Sequence, residues 1–139
     1  MIRRMETCDL AAVVELWRAW LEEDPIPGRS PGDLLLEHQT LARRIVARTQ
    51  PGVALYSSEG AVLLWAGQAR DLHGFGVYVT PKMRGTGLGT RMLEEGCKQA
   101  QLQGFDRVLV SPYTRKPGTQ IWLGKAGFTP VQLVMERKL

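Results

Sequence analysis

Arg84-Gly85-Thr86-Gly87-Leu88-Gly89-Thr90 is the stretch of this sequence with the clearest chemistry in it. Three glycines at alternate positions let the main chain turn tightly and come close to a ligand. The residues before it, Val77-Tyr78-Val79-Thr80, read as a strand, which Pro81 stops because proline has no N–H for the ladder. The residues after it read as an amphipathic helix, with Met92, Leu93, Gly96, Cys97 and Ala100 on one face. A strand, a glycine turn and a helix start gather free main-chain N–H groups and the positive end of a helix dipole at one point. Such a point holds an anion, and phosphate is the usual one.

The elements that must position this loop can be read in order. Ile2–Met5 is a short edge strand, and Thr7 is a candidate N-cap for a helix over Leu10–Leu21. Pro25-Ile26-Pro27-Gly28 ends that helix in a loop. Ser30 as N-cap, Pro31 in the first turn and Asp33 behind it start a second helix, whose stripe includes Leu34, His38, Leu41 and Ile45. Val53–Ser57 and Ala61–Ala66 form a hairpin around Glu59-Gly60, and Leu72–Thr80 is the strand that runs into the glycine loop. The helix that follows contains Gly96, which costs about 1 kcal/mol of propensity, so this glycine is expected where helix and sheet come close. Gly104 caps that helix. Arg107–Val110 is a short buried strand, Thr119–Lys125 a short helix, and Val131–Arg137 a last strand. The order β-α-α-β-β-β-α-β-α-β predicts an α/β fold, with a mixed, mostly antiparallel central sheet and helices on both faces.

Two phosphate-loop types are excluded. No Gly-Lys-Ser or Gly-Lys-Thr closes the turn, and Thr90 stands where a dinucleotide fingerprint needs its third glycine. What remains is Arg-x-x-Gly-x-Gly (Arg84, Gly87, Gly89) behind Val79-Thr80-Pro81. This resembles the pyrophosphate loop of the GNAT superfamily of acyl-CoA-dependent N-acetyltransferases. A second match lies downstream: Lys125-Ala126-Gly127-Phe128 is similar to the Lys-x-Gly-Phe that closes the cofactor half of that fold. The element order is similar as well, across nearly the whole chain.

The resemblance implies one acetyltransferase domain over residues 1–139, using acetyl-CoA to acetylate a primary amine of a small molecule or peptide by direct attack. Main-chain groups of Arg84, Gly85, Thr86, Gly87, Leu88, Gly89 and Thr90 would hold the pyrophosphate. Val77 and Val79 would align the pantetheine as an added strand, and an N–H near Val77 or Tyr78 would face the developing oxyanion. Two positions depart from the family pattern. Leu123 stands where relatives often carry a tyrosine acid and can donate nothing. Lys116 replaces an asparagine near the pantetheine arm and becomes a candidate cofactor contact. Tyr113 is then the candidate acid. His73 is the candidate base, because an imidazole titrates in the useful range; Asp71 and Glu23 are its alternatives. No strand carboxylate lies between Leu72 and Pro81. The departures keep open an alternative: an acyl-CoA-binding sensor or regulatory module with little or no catalysis. Trp20, Trp65 and Trp122 are candidates for the acceptor wall or for the core.

Composition sets outer bounds. With 139 residues, 44% hydrophobic and 23% charged, the chain reads as an ordinary globular domain. No apolar run suits a membrane span or a leader, so a cytoplasmic location is expected. Two cysteines and two histidines, without ligand spacing, predict no metal. A net charge of +4 matches an acidic cofactor, and without a long basic run no nucleic-acid partner is expected. A homodimer is the assembly that the resemblance allows.

Overall fold

A computed structural model of the chain describes residues 1–111 and 117–139. The elements run β1 (Ile2–Arg4), α1 (Leu10–Glu23), α2 (Pro31–Val46), β2 (Gly52–Ser57), β3 (Ala61–Gln68), β4 (Asp71–Val79), α3 (Leu88–Leu102), β5 (Arg107–Leu109) and α4 (Pro117–Lys125). The five strands form one sheet in the order β1-β2-β3-β4-β5, antiparallel throughout except for the parallel β4–β5 pair. This is the α/β, mostly antiparallel architecture predicted above.

The sheet is covered on both faces, so β2 and β3 read as nearly continuous apolar runs rather than alternating ones. Val53, Leu55, Leu63 and Trp65 face α3, where Leu88, Met92, Leu93 and Ala100 meet them. Ala54, Val62, Leu64 and Tyr78 face the opposite way, onto Val13 and Trp17 of α1 and Ala42 of α2. Burying each large side chain is worth about 1.5–3 kcal/mol relative to exposure. Gly96 behaves as its propensity cost implied. A Cβ there would stand 2.8 Å from two ring carbons of Trp65 and 2.9 Å from Leu63, so α3 lies on the sheet only because that side chain is missing.

Local capping follows the predicted chemistry for α2: the Ser30 hydroxyl accepts the Asp33 N–H at 3.4 Å, with Pro31 in the first turn. The start of α1 differs. It is entered through a single 3-10 turn, Thr7–Asp9, and the Asp9 carboxylate accepts the Glu6 N–H at 2.8 Å. Glu6 is the N-cap of that turn and Asp9 the N-cap of α1, so Thr7 caps neither; the Arg3 guanidinium donates to Asp9 at 2.6 Å.

The last strand predicted over Val131–Arg137 is corrected. Among the described residues no regular element follows α4, and Val131, Leu133 and Met135 are exposed. Alternation supplies only a preference, since a strand is stabilised by its cross-strand partner. Both edge strands of the sheet, β1 and β5, are just three residues long.

Candidate functional site

The site begins where β4 and β5 part. They pair only over Asp71–His73 and Arg107–Leu109, while β4 runs on to Val79. Beyond His73, one edge of β4 therefore faces a gap. The Thr80 N–H donates to Gly60 O at 2.8 Å on the β3 side. Alternation along an antiparallel pair then turns the main-chain groups of Val77 and Val79 into the gap. The register also slips between Leu64 and Trp65: Leu64 faces Gly76 and Trp65 faces Gly74, so Phe75 has no opposite number. A bulge of this kind re-aims main-chain groups and is common beside binding sites.

Two exposed bidentate ion pairs hold the closed end of the gap. Arg107 donates to Asp71 at 3.0 and 3.1 Å, and Arg70 to Asp106 at 2.6 and 3.0 Å. Asp71 is thereby committed to the sheet junction. His73 lies on the same short stretch, half-buried between Ala66 and Leu109 in the register, and does not line the cavity described next.

At the open end stands the glycine loop. Gly85 and Gly87 take left-handed φ values of +79° and +85°, with open space where a Cβ would be. Gly87 is the N-cap of α3, and no side chain caps that helix. The first-turn N–H groups of α3 are thus presented beside an exposed, positively curved loop, while Leu88 is wholly buried and anchors it. Gly89 is needed for packing: a Cβ would lie 3.1 Å from Trp122 and 3.3 Å from Val79. The Trp122 indole in turn donates to the Thr90 hydroxyl at 3.3 Å.

Gap and loop open into one cavity of about 860 Å³. Its α3 side is lined by Gly87, Gly89, Leu93, Val110, Trp122 and Leu123, and its far side by Trp20, Glu23, Ile26, Leu34, His38 and Tyr78. Trp20 stacks on Tyr78 with ring centroids 6.0 Å apart at 23°. His38 is buried with Nδ1 donating to Leu34 O at 2.7 Å, which fixes the tautomer. Across the mouth, the Arg84 guanidinium meets the Glu23 carboxylate at 2.5 and 2.8 Å. Arg84 also donates to Val79 O at 3.0 Å and lies 5.5 Å above the Tyr78 ring. The Tyr78 hydroxyl donates to Glu23 at 3.0 Å. Burial, followed by that hydrogen bond to a carboxylate, pushes the Tyr78 phenol above its usual range.

The structure thus brings Val77, Tyr78, Val79, Arg84, Gly85, Gly87, Gly89 and Thr90 to one cavity. Thr86 and Leu88 stand in the same loop without lining it; the Thr86 hydroxyl is turned back onto Met83 O at 2.5 Å. Tyr113 and Lys116 lie outside the described residues. Sequence reasoning named Glu23 only as an alternative to His73. What could have singled it out is its place as the last residue of the helix, just ahead of the Pro25–Gly28 loop. Glu6, Cys8 and Asp9 also bring ligand-type atoms within 4.8 Å of one another. Arg3 pairs both carboxylates there, and these residues form the entry to α1.

Open glycines at left-handed φ, a helix start without a side-chain cap and a strand edge that pairs with no strand among the described residues, beside a cavity of this size, fit a long ligand with a diphosphate at one end. The cradle is made of main chain, so a diphosphate could approach it without displacing a side chain.

Comparison with known proteins agrees with that geometry. The profile of the acetyltransferase (GNAT) family matches residues 14–120, about three quarters of the chain. No curated protein matches the sequence. Among solved structures, a possible acetyltransferase from Clostridium difficile 630 superposes with a TM-score of 0.74 at 11% identity, covering 100% of this chain and 96% of its own. The aminoglycoside 6'-N-acetyltransferase AAC(6')-IG from Acinetobacter haemolyticus gives 0.71 at 16% identity, covering 100% and 97%. The PaiA N-acetyltransferase from Thermoplasma acidophilum, solved in complex with coenzyme A, gives 0.69 at 13% identity, covering 90% and 87%. At these identities the likeness is one of fold.

Proposed function

We propose a function from a fixed premise: this chain belongs to the acetyltransferase (GNAT) family. In our reading, residues 1–139 are one acetyltransferase domain that moves the acetyl group of acetyl-CoA to a primary amine. The observation that carries it is the unpaired edge of β4 running into an uncapped helix start, both on one cavity. Neighbours of the same fold that are N-acetyltransferases, one of them holding coenzyme A, support the choice of cosubstrate. The acceptor is a small-molecule or peptide amine, and a homodimer in the cytoplasm is the expected setting. No helix among the described residues is long and apolar enough to cross a membrane.

Acetyl-CoA supplies a thioester whose carbonyl an amine can attack. The chain's own groups do the rest. Main-chain N–H groups of Gly85 to Thr90 bind the diphosphate and gain from the dipole of α3. Val77 and Val79 align the pantetheine along the edge of β4. A main-chain N–H at the bulge or at Val77 faces the oxygen on which charge develops. On the far side, Glu23 is the carboxylate that receives the acceptor's ammonium and takes its proton, so that a neutral amine attacks. Glu23 is preferred over His73 because it lines the cavity and His73 does not. Overall the ammonium loses two protons: one to Glu23, the other to the departing thiolate. Leu123 is buried and can give none, leaving the second transfer to water or to Tyr113.

A thermal-shift titration with acetyl-CoA, paired with thiol release over a panel of small amines and peptide amines, tests this reading. Stabilisation together with turnover is expected. No stabilisation at millimolar acetyl-CoA sinks it, and stabilisation without turnover on any amine favours the acyl-CoA sensor.

A further inference from the structure

The indole of Trp65 is fully buried, yet its Nε1–H has no acceptor among the described residues. A buried donor left unmade is costly, and such exceptions in native structures call for a reason. The surroundings supply one. The six-membered ring of Trp65 is pressed against α3, with Cη2 and Cζ3 each 2.8 Å from where a Gly96 Cβ would stand. The opposite edge of the indole faces β4, with Cδ1, the carbon bonded to Nε1, 3.5 Å from where a Gly74 Cβ would stand. Gly74 is the register partner of Trp65 and the first residue of β4 beyond its pairing with β5. Trp65 lines the cavity, so its donor edge sits at the apex of the gap, where the two strands begin to part.

We propose that Trp65 is a cofactor-binding residue whose Nε1–H donates to a carbonyl oxygen of the bound acyl-pantetheine chain. The inference rests on the acetyl-CoA reading above. The ligand atom must be a neutral acceptor oxygen. The apex is walled by Gly74, Val110 and Leu93, which offer no cation for a phosphate. Glycine at 74 lets Val110 pack close beside the indole, since a Cβ there would meet Val110 Cγ1 at 2.6 Å. An acyl-pantetheine chain carries such oxygens in its two amides and in its thioester, and the test separates these sources.

Two changes remove the donor. Trp65→Phe is the simple one; incorporation of benzothienylalanine at position 65 keeps the bicycle and replaces N–H by sulfur, so packing is preserved if the smaller ring unsettles the fold. Binding of CoA, acetyl-CoA and adenosine bisphosphate, which lacks the pantetheine arm, is measured by calorimetry together with the melting temperature of the free protein. Loss of one neutral hydrogen bond predicts about tenfold weaker binding of the pantetheine ligands. Adenosine bisphosphate binding should stay unchanged, and the free benzothienyl protein should melt no lower than the parent. Weakening of CoA and acetyl-CoA alike assigns the oxygen to a pantetheine amide. Weakening of acetyl-CoA alone assigns it to the thioester carbonyl. Affinities for both within twofold of the parent overturn the proposal. If the unsubstituted chain binds neither CoA nor acetyl-CoA, the cofactor reading itself has failed, and this inference falls with it.

Discussion

The Arg84 guanidinium and the Glu23 carboxylate form a two-point ion pair across the mouth of the cavity, at 2.5 and 2.8 Å. They come from positions 61 residues apart: one opens the glycine loop, the other ends α1. The pair therefore ties the glycine loop to the C-terminal end of α1, and Tyr78 is hydrogen-bonded to the same carboxylate. Both side chains are roughly 35–46% exposed, so the pair contributes at most about 1 kcal/mol to stability. Its consequence lies in the chemistry.

Glu23→Gln should cut thiol release by about a hundredfold or more, the usual contribution of a general base. The acetyl-CoA thermal shift should survive. Arg84→Ala serves as the control: if Glu23 acted only by holding Arg84, the two variants would lose turnover equally. That equality would remove the proton-acceptor role.

Gly87→Trp should abolish stabilisation by acetyl-CoA. The φ of +85° costs a side-chain-bearing residue about 1–2 kcal/mol, and the indole would fill the open cradle. Gly87→Ala is predicted to lower the melting temperature by a similar backbone penalty while retaining part of the shift. A Trp variant that still responds fully to acetyl-CoA would take the diphosphate away from this loop.

Gly76 tests the acceptor side. A Cβ there would stand 2.1 Å from Trp20 Cη2, at a φ of +122°. Gly76→Ala should push Trp20 off Tyr78 and destabilise the fold by about 1–3 kcal/mol. Among molecules that remain folded, KM for the amine should rise with CoA binding little changed. The reverse pattern, weakened CoA binding with an unchanged amine KM, would exchange the two halves of the cavity.

Acid should loosen the closed end of the gap. Hydrogen bonds from Arg107 and Arg70 hold the carboxyls of Asp71 and Asp106 below their ordinary value of 3.8. With the folded value below the unfolded one, their stabilisation is complete above about pH 5 and is lost as pH falls through and below 3.8. Asp71→Asn with Asp106→Asn should flatten that acid-side loss of melting temperature, and so should high salt, because Arg70, Asp106 and Arg107 are exposed and Asp71 is only half-buried. An acid limb unchanged by the double substitution would mean that other carboxylates set it.

The sequence by itself determined the local features. The glycine loop could be read because left-handed turns and close main-chain approach require glycine, and the structure has Gly85 and Gly87 at positive φ. Gly96 could be read as a contact point for the same reason, and the caps of α2 because Ser-Pro-x-Asp satisfies first-turn N–H groups locally. Pairing across distance was not legible. Val131–Arg137 alternates as a strand does but forms none, because a strand's stability belongs to the pair and not to the residues alone. His73 and Asp71 looked like bases from residue type; the register sets both at the sheet junction, away from the cavity. Only the tertiary structure sets Glu23 at the cavity, since nothing local brings the end of one helix to the mouth of a loop 61 residues later. It also buries the Trp65 donor without an acceptor among the described residues. Conformational preference is written residue by residue, whereas proximity, exposure and the satisfaction of buried polar groups exist only once the layers have packed.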